Sequence, residues 1–180
     1  DPKAELAATP IAKGLPAGPG GGVGQAVFTS EAANEWAAKG KKVILIRNET
    51  SPEDVEGMRS AIAILTAMGG MTSHAALVAR GWGKCCIVGC GELNIDAKAK
   101  KVTVGKTVIK EGDWISMNGS TGHVYKGQLP VLPAQPEKNK YYNTLMTWAD
   151  ERRQINVRTN AESAADSKQA LAFGAEGIGL

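Results

Sequence analysis

One stretch of the sequence contains the residue types that a phosphoryl carrier needs. Gly69 and Gly70 follow an apolar run of the chain, and glycines allow the backbone to approach a phosphate closely. Thr72 and Ser73 supply hydroxyl groups that can cap a helix, which places His74 in the first helical turn. The free N–H groups and positive dipole end at that position disfavour the imidazolium form of the ring and stabilise a phosphate bound to it. The pattern therefore predicts that His74 is phosphorylated, with the glycines and the cap as supporting residues.

The same residues have simpler interpretations, which the sequence alone leaves open. His74 can be a solvated histidine in a first helical turn, with the two glycines forming only a tight turn. Thr72 can serve purely as part of the helix cap. Arg80 falls in the last turn of the predicted helix, where it would either balance the charge of a phosphate or complete the helix dipole.

Composition argues against several other classes of protein. Of the 180 residues, 43% are hydrophobic and 22% are charged, which is enough for a packed core and does not favour disorder. The apolar stretches are far shorter than the ~20 residues that cross a membrane. The basic clusters at residues 39–42 and 98–101 lack the aromatic rings of a nucleic-acid groove. We therefore expect neither a membrane nor a nucleic acid as a partner.

Three further features receive structural interpretations. Residues 105–107 read Gly-Lys-Thr but lack the upstream glycine of a phosphate-binding loop, so they predict a hairpin turn. His123 lies in an alternating strand pattern that does not favour catalysis. The three cysteines, Cys85, Cys86 and Cys90, lack the spacing of a zinc site and favour a reducing, intracellular compartment. We therefore expect no metal site in this chain.

The elements around these residues indicate an α/β fold. Residues 1–22 are rich in Pro and Gly and predict a linker leading into a first domain of residues 23–128. Buried strands and helices alternate in the first part of that domain, and from residue 102 a period of two predicts hairpins. The predicted strands are 23–28, 42–46, 61–66, 85–89, 102–104, 107–109, 114–117 and 124–125, and the predicted helices are 30–39, 51–60 and 74–80.

A proline-rich segment then divides the chain. Residues 129–140 contain three prolines and predict an extended linker. Beyond it the pattern predicts a helix at 141–152, a strand at 154–159, a helix at 164–173 and a strand at 177–180. Because this β-α-β run has no further strand to pair with, we expect the chain to end inside a parallel-sheet domain.

Residues 69–90 resemble the phosphohistidine signature of the pyruvate, phosphate dikinase family. They read Gly-Gly-Met-Thr-Ser-His-Ala-Ala-Leu-Val-Ala-Arg-Gly-Trp-Gly-Lys-Cys-Cys-Ile-Val-Gly-Cys, with Leu77 and Trp82 where many members have Val and Met. Phosphoenolpyruvate (PEP) synthase and Enzyme I of the sugar phosphotransferase system share the Gly-Gly-x-Thr-Ser-His-Ala core, but residues 84–86, Lys-Cys-Cys, favour the dikinases. The resemblance extends to residues 14–17, 118–122, 158–161 and 174–180.

The resemblance implies the activity and the partners of a whole enzyme. The family interconverts ATP, phosphate and pyruvate with AMP, diphosphate and phosphoenolpyruvate. His74 would receive the phosphoryl group at a nucleotide-binding domain and deliver it at a (β/α)₈ barrel that binds pyruvate, with Mg²⁺ held outside this chain. Residues 23–128 would then be a swivelling β/β/α carrier domain, and residues 141–180 would begin the barrel.

The resemblance also implies properties that are not catalytic. Thr72 matches the threonine that plant members phosphorylate to regulate the enzyme. The full-length protein would be a homo-oligomer in the cytosol or in an organelle of the chloroplast or glycosome type, and this fragment alone would be inactive. The alternatives are a PEP synthase or an Enzyme I type of phosphotransferase, and a non-catalytic interaction module in which His74 is a surface residue.

Overall fold

The computed structural model describes residues 1–132, 138–161 and 163–179. The chain divides into two compact units, Asp1–Leu132 and Pro133–Leu180. Within the described residues, no helix combines the length and the apolar character that crossing a membrane requires.

The first unit contains four α-helices and eleven β-strands within its 132 residues. The helices are α1 (Pro2–Ala7), α2 (Ser30–Ala38), α3 (Val55–Ser60) and α4 (His74–Gly81), and a 3₁₀ turn at Pro52–Asp54 precedes α3. The strands are β1 (Ala12–Lys13), β2 (Leu15–Gly18), β3 (Gly21–Val27), β4 (Val43–Arg47), β5 (Ala63–Thr66), β6 (Cys85–Val88), β7 (Asn94–Asp96), β8 (Lys101–Val104), β9 (Thr107–Lys110), β10 (Trp114–Asn118) and β11 (His123–Lys126).

Eight of these strands form one mixed sheet in the order β1-β11-β10-β3-β4-β5-β6-β2. The four central strands β3, β4, β5 and β6 are parallel, and the strands on either side of them are antiparallel. Strands β7, β8 and β9 form a separate antiparallel sheet. The hairpin-rich half that the sequence predicts is therefore divided, because β10 and β11 join the main sheet.

The main sheet has a hydrophobic cluster on each of its faces. Alternate residues of a strand point to opposite faces, and β4 shows this directly. Ile44 and Ile46 belong to the cluster that also contains Val102 and Ile109 of the small sheet. Val43 and Leu45 belong to the other cluster, which is formed with helices α2, α3 and α4. The unit therefore has three layers, and the predicted α/β class is confirmed.

The N-terminal part of the chain differs from the linker predicted for residues 1–22. Strands β1 (Ala12–Lys13) and β2 (Leu15–Gly18) lie within it, and β3 begins at Gly21, before the predicted start at residue 23. Strand β2 is the last strand of the sheet and pairs only with β6, so Pro16 is tolerated at the edge. The composition of β2 is therefore misleading, because an edge strand accepts residues such as Pro16 that a central strand excludes.

The same segment is attached to the hairpin between β10 and β11. A Cβ atom built on Gly119 would lie 1.9 Å from the carbonyl oxygen of Gly18, so only glycine fits at this contact. In α1, the Glu5 carboxylate accepts hydrogen bonds from the Asn118 amide at 2.8 Å and from the Tyr125 hydroxyl at 3.0 Å. These bonds hold the short helix against the sheet although none of its own residues is buried.

The second unit contains two helices and two short strands in its described residues. They are α5 (Lys140–Arg152), β12 (Arg158–Thr159), α6 (Ala164–Ala172) and β13 (Gly177–Ile178), and β12 pairs with β13 in parallel. Both strands are shorter than predicted, since the predicted strands covered residues 154–159 and 177–180. Residue 180 and residues 133–137 of the predicted linker lie outside the described residues.

Candidate active site

The candidate site is the turn between β5 and α4, at the carboxyl end of the parallel strands. The Ser73 hydroxyl accepts a hydrogen bond from the Ala76 N–H at 3.4 Å and so caps the helix. Of the two hydroxyl residues that the sequence offers as caps, the structure uses Ser73, and Thr72 is exposed. The helix then begins at His74, as the sequence predicts.

The two glycines before the cap have different surroundings. Gly69 has a φ of +99°, and a Cβ atom at this residue would lie 2.9 Å from the Cβ atom of Ser73. A side chain at Gly69 would therefore be strained and would press on the cap. Gly70 has no heavy atom within 4 Å of a built Cβ, so open space lies beside its backbone.

A threonine from a different loop contacts the histidine. The Thr50 hydroxyl lies 3.0 Å from Nδ1 of His74, within hydrogen-bond distance. Among the described residues, Nε2 of His74 has no hydrogen-bond partner. The half-buried imidazole is thus fixed at one nitrogen and available at the other.

Sequence reasoning missed Thr50, although a signal for it exists. Thr50 lies in the loop that follows β4, and the candidate turn follows β5, its parallel neighbour. The carboxyl ends of parallel strands meet at one edge of a sheet, where ligand sites form. The loops are joined by hydrogen bonds from the N–H groups of Ala67 and Met68 to the carbonyls of Arg47 and Asn48, at 3.1 and 2.8 Å.

Arg80 supports the turn in a way that the sequence does not predict. One guanidinium nitrogen donates to the Met71 carbonyl at 2.6 Å, and another donates to the Ala17 carbonyl at 3.3 Å. Both acceptors are backbone groups outside α4. Arg80 therefore ties the turn to the helix and to β2, which is a positioning contact.

The helix N-terminus supplies donors beside the histidine ring. The cap accounts for the N–H of Ala76, and the N–H of Leu77 donates to the Ser73 carbonyl at 3.0 Å. The N–H groups of His74 and Ala75 precede the first intrahelical bond and have no acceptor within the helix. Two backbone donors and the positive dipole end are therefore available to an anion at this position.

Cys86 packs beneath helix α4, whereas Cys85 and Cys90 belong to the cluster on the other face of the sheet. All three are free thiols and buried, and the Cys86 thiol lies 3.8 Å from the Ala75 carbonyl. Burial raises the pKa of Cys86 to about 12 and that of Cys85 to about 11, which keeps both thiols protonated and inert. Across the described parts of the chain, no group of three or more His, Cys, Asp or Glu side chains could hold a metal ion.

The remaining sequence features lie away from the two loops. Residues 105–107 include the turn between β8 and β9, where Gly105 has a φ of +55°, so the predicted hairpin is confirmed. His123 is in β11, and its ring meets Tyr125 edge to face with centroids 6.2 Å apart. Neither feature is part of the candidate site.

Residues 39–122 match the family model described as PEP-utilising enzyme, mobile domain. The matched residues include His74 and lie wholly within the unit Asp1–Leu132, so this part of the chain is similar to the mobile domain of PEP-utilising enzymes. Over nearly its whole length the chain is similar to enzymes named pyruvate, phosphate dikinase.

Two plant relatives illustrate that similarity. The chain is 55% identical over 170 residues to the chloroplastic pyruvate, phosphate dikinase of Mesembryanthemum crystallinum and to the chloroplastic pyruvate, phosphate dikinase 1 of Arabidopsis thaliana. Each alignment covers 94% of this chain but only 18% or 17% of the relative. The chain therefore spans less than a fifth of the length of these relatives. A solution structure of Enzyme I overlaps 61% of this chain and 38% of its own at 23% identity, with a TM-score of 0.34, too low to support any argument.

Proposed function

We propose that this chain is the phosphoryl-carrier part of a pyruvate, phosphate dikinase, with His74 as the residue that carries the phosphoryl group. One observation supports this role most strongly. His74 begins a helix at an open glycine turn, and Thr50 binds its Nδ1 at 3.0 Å while Nε2 has no partner among the described residues. That arrangement orients one ring nitrogen toward an incoming phosphoryl group.

The proposed chemistry uses Nε2 as the nucleophile. In the neutral tautomer that attacks, the Nδ1–H group donates to the Thr50 hydroxyl, and the lone pair of Nε2 is free. Attack on PEP forms the N–P bond as the P–O bond to the enol oxygen breaks, and the enolate takes a proton to become pyruvate. The backbone N–H groups of the first helical turn would stabilise the phosphate on the ring.

The other half of the reaction requires a second site. In the proposed cycle the phosphoryl group passes between ATP with phosphate on one side and pyruvate on the other, giving AMP, diphosphate and PEP. Nucleotide-binding and pyruvate-binding domains of the same enzyme would hold these substrates. We propose that residues 23–128 swivel between them on the segment 129–140.

The second unit fits the start of the pyruvate-binding barrel in this scheme. Strands β12 and β13 are parallel and are joined through α6, which is the β-α-β unit from which (β/α)₈ barrels are built. Mg²⁺ would supply charge neutralisation at the substrate phosphates. In this proposal Mg²⁺ would be bound by other parts of the enzyme.

Regulation and location follow from the same proposal. Thr72 is exposed beside His74, so a phosphate there would place about −1.5 to −2 charge next to the carrier and repel the incoming phosphoryl group. The two plant dikinases named chloroplastic favour an organellar location for a protein of this type. In this proposal the full-length enzyme would be a homo-oligomer.

The proposal is tested with His74→Asn in the full-length protein. We expect the variant to lose both half-reactions, the exchange of ATP with AMP and the exchange of PEP with pyruvate, because both need the same nucleophile. His123→Asn is the matched control, since the sequence has two histidines, and it should retain both exchanges. PEP synthesis by His74→Asn would refute the proposal, and consumption of water instead of phosphate in the first half-reaction would indicate a synthase.

A further inference from the structure

A buried carboxylate lies behind the loop that carries Thr50. Asp54 is only 4% exposed. Its Oδ1 accepts a hydrogen bond from the Ser30 hydroxyl at 2.8 Å, and its Oδ2 accepts one from the backbone N–H of Ser51 at 3.0 Å. Nε of Arg47 lies 3.3 Å from Oδ1 and forms an ion pair without the alignment of a hydrogen bond.

These partners lie on both sides of one short loop. Arg47 is the last residue of β4 and directly precedes residues 48–50, and Ser51 directly follows them. Arg47 also donates to the Phe28 carbonyl at 3.3 Å, and Ser30 is the first residue of α2. A single carboxylate therefore closes the loop at its two ends and attaches it to a neighbouring element.

The loop closed in this way presents the hydroxyl that contacts the histidine. Thr50 adjoins Ser51, and its hydroxyl lies 3.0 Å from Nδ1 of His74. Burying a charged group is unfavourable unless hydrogen bonds or ion pairs compensate for its lost hydration. Each contact of Asp54 described above helps to fix this loop. A shift of the loop by about 1 Å would lengthen the Thr50 contact and misdirect Nε2.

We propose that Asp54 is a positioning residue for phosphoryl transfer, which acts by holding Thr50 against His74. This inference rests on the proposed function of His74. It assigns to Asp54 no contact with substrate. Its effect on the reaction must therefore disappear when the Thr50 hydroxyl is absent.

A double-mutant cycle in the full-length enzyme tests this dependence. Thr50→Val, Asp54→Asn and the double variant are compared by the single-turnover rate at which labelled PEP phosphorylates the enzyme. We expect each single variant to be slower by about tenfold, because the ring loses its orientation. The double variant should be no slower than Thr50→Val within about twofold, since residues that act through one contact are not additive.

A second carboxylate provides the control. Glu111→Gln removes an ion pair of the same unit, in which Nζ of Lys100 lies 2.8 Å from Oε1 of Glu111. This variant should leave the rate of phosphorylation unchanged. Two results would overturn the inference: a wild-type rate in Asp54→Asn, or a double variant slowed by the product of the single effects, about a hundredfold. If the wild-type enzyme acquired no label from PEP, the proposed function itself would be refuted.

Two further measurements exclude a purely structural role. In nitrogen NMR spectra of the 180-residue chain, Asp54→Asn should move the Nδ1 resonance of His74 toward its position in Thr50→Val, and an unmoved resonance would contradict the inference. If Asp54→Asn does not fold, Ser30→Ala removes one partner of the carboxylate more gently. It should slow transfer by about threefold alone and not at all in the Thr50→Val background, and an additive effect would contradict the inference.

Discussion

At the scale of single residues, the two glycines of the turn differ in what they contribute. Gly69 allows the backbone conformation of the turn, and Gly70 leaves open space beside it. Gly69 needs its positive φ of +99°, which an alanine adopts only with strain, and a Cβ atom would press on Ser73. Gly70 faces open space, so an alanine there meets no neighbouring atom. The first glycine should therefore matter for folding and the second for the approach of a phosphate.

We predict opposite results for alanine at these two positions. Gly69→Ala should lower the free energy of unfolding by about 1–3 kcal/mol, because of its left-handed backbone conformation. Gly70→Ala should change it by less than about 0.5 kcal/mol but slow the phosphorylation of His74. Urea unfolding and single-turnover labelling of the two variants measure both quantities. Equal losses of stability, or a wild-type rate in Gly70→Ala, would contradict the distinction.

At the scale of elements, a buried thiol of strand β6 beneath helix α4 makes the free energy of unfolding depend on pH. Burial raises the pKa of the Cys86 thiol from 9.0 to about 12. Below pH 9 this thiol is protonated in both the folded and the unfolded state, so it makes no difference to stability. Above that pH the unfolded chain loses the proton and the folded protein keeps it, so the free energy of unfolding falls as pH rises.

We predict that Cys86→Val removes part of this fall. The difference in unfolding free energy between wild type and Cys86→Val should decrease between pH 8 and pH 10.5, by up to about 1.4 kcal/mol per pH unit above the unfolded pKa. Urea unfolding across this range measures it. Ile87→Val on the same strand is the control, and its cost of about 0.5–1.5 kcal/mol should not depend on pH. A constant difference for Cys86→Val would show that the thiol is not protected.

Elements whose signals are local could be predicted from the sequence. Helix α4 begins at the predicted residue because its cap and its first turn are adjacent in sequence. The helix predicted from residue 51 has its N-cap at Ser51, with the 3₁₀ turn Pro52–Asp54 leading into α3. Strand β2 was missed because its pairing with β6 is a property of the sheet edge, which the local composition of Pro and Gly conceals.

The contacts that complete the site depend on distant parts of the chain. Thr50 meets His74 only because β4 and β5 lie side by side in parallel. Asp54 accepts a hydrogen bond from Ser51 within its own turn, but its bond to Ser30, 24 residues away, depends on the packing of α2. The sequence could thus locate the proposed nucleophile, whereas Thr50 and Asp54, which would orient it, are brought near it only by the fold.

At the scale of the whole molecule, the proposed carrier corresponds to a small part of the enzymes to which the chain is similar. The chain spans less than a fifth of these dikinases, and the residues that match the mobile domain lie within the unit Asp1–Leu132. In the proposed enzyme a phosphoryl group on this unit must be delivered to domains outside it. The nitrogen–phosphorus bond suits that role, because it is a labile bond that transfers its phosphoryl group reversibly.

The most direct test is the location of the phosphoryl group after brief mixing of the full-length protein with labelled PEP. We predict an acid-labile, alkali-stable label in the peptide that contains His74, attached at Nε2, and no label in His74→Asn. The account would be contradicted by a label on any other residue that persists in His74→Asn, or by the absence of acid-labile phosphate from the wild-type protein.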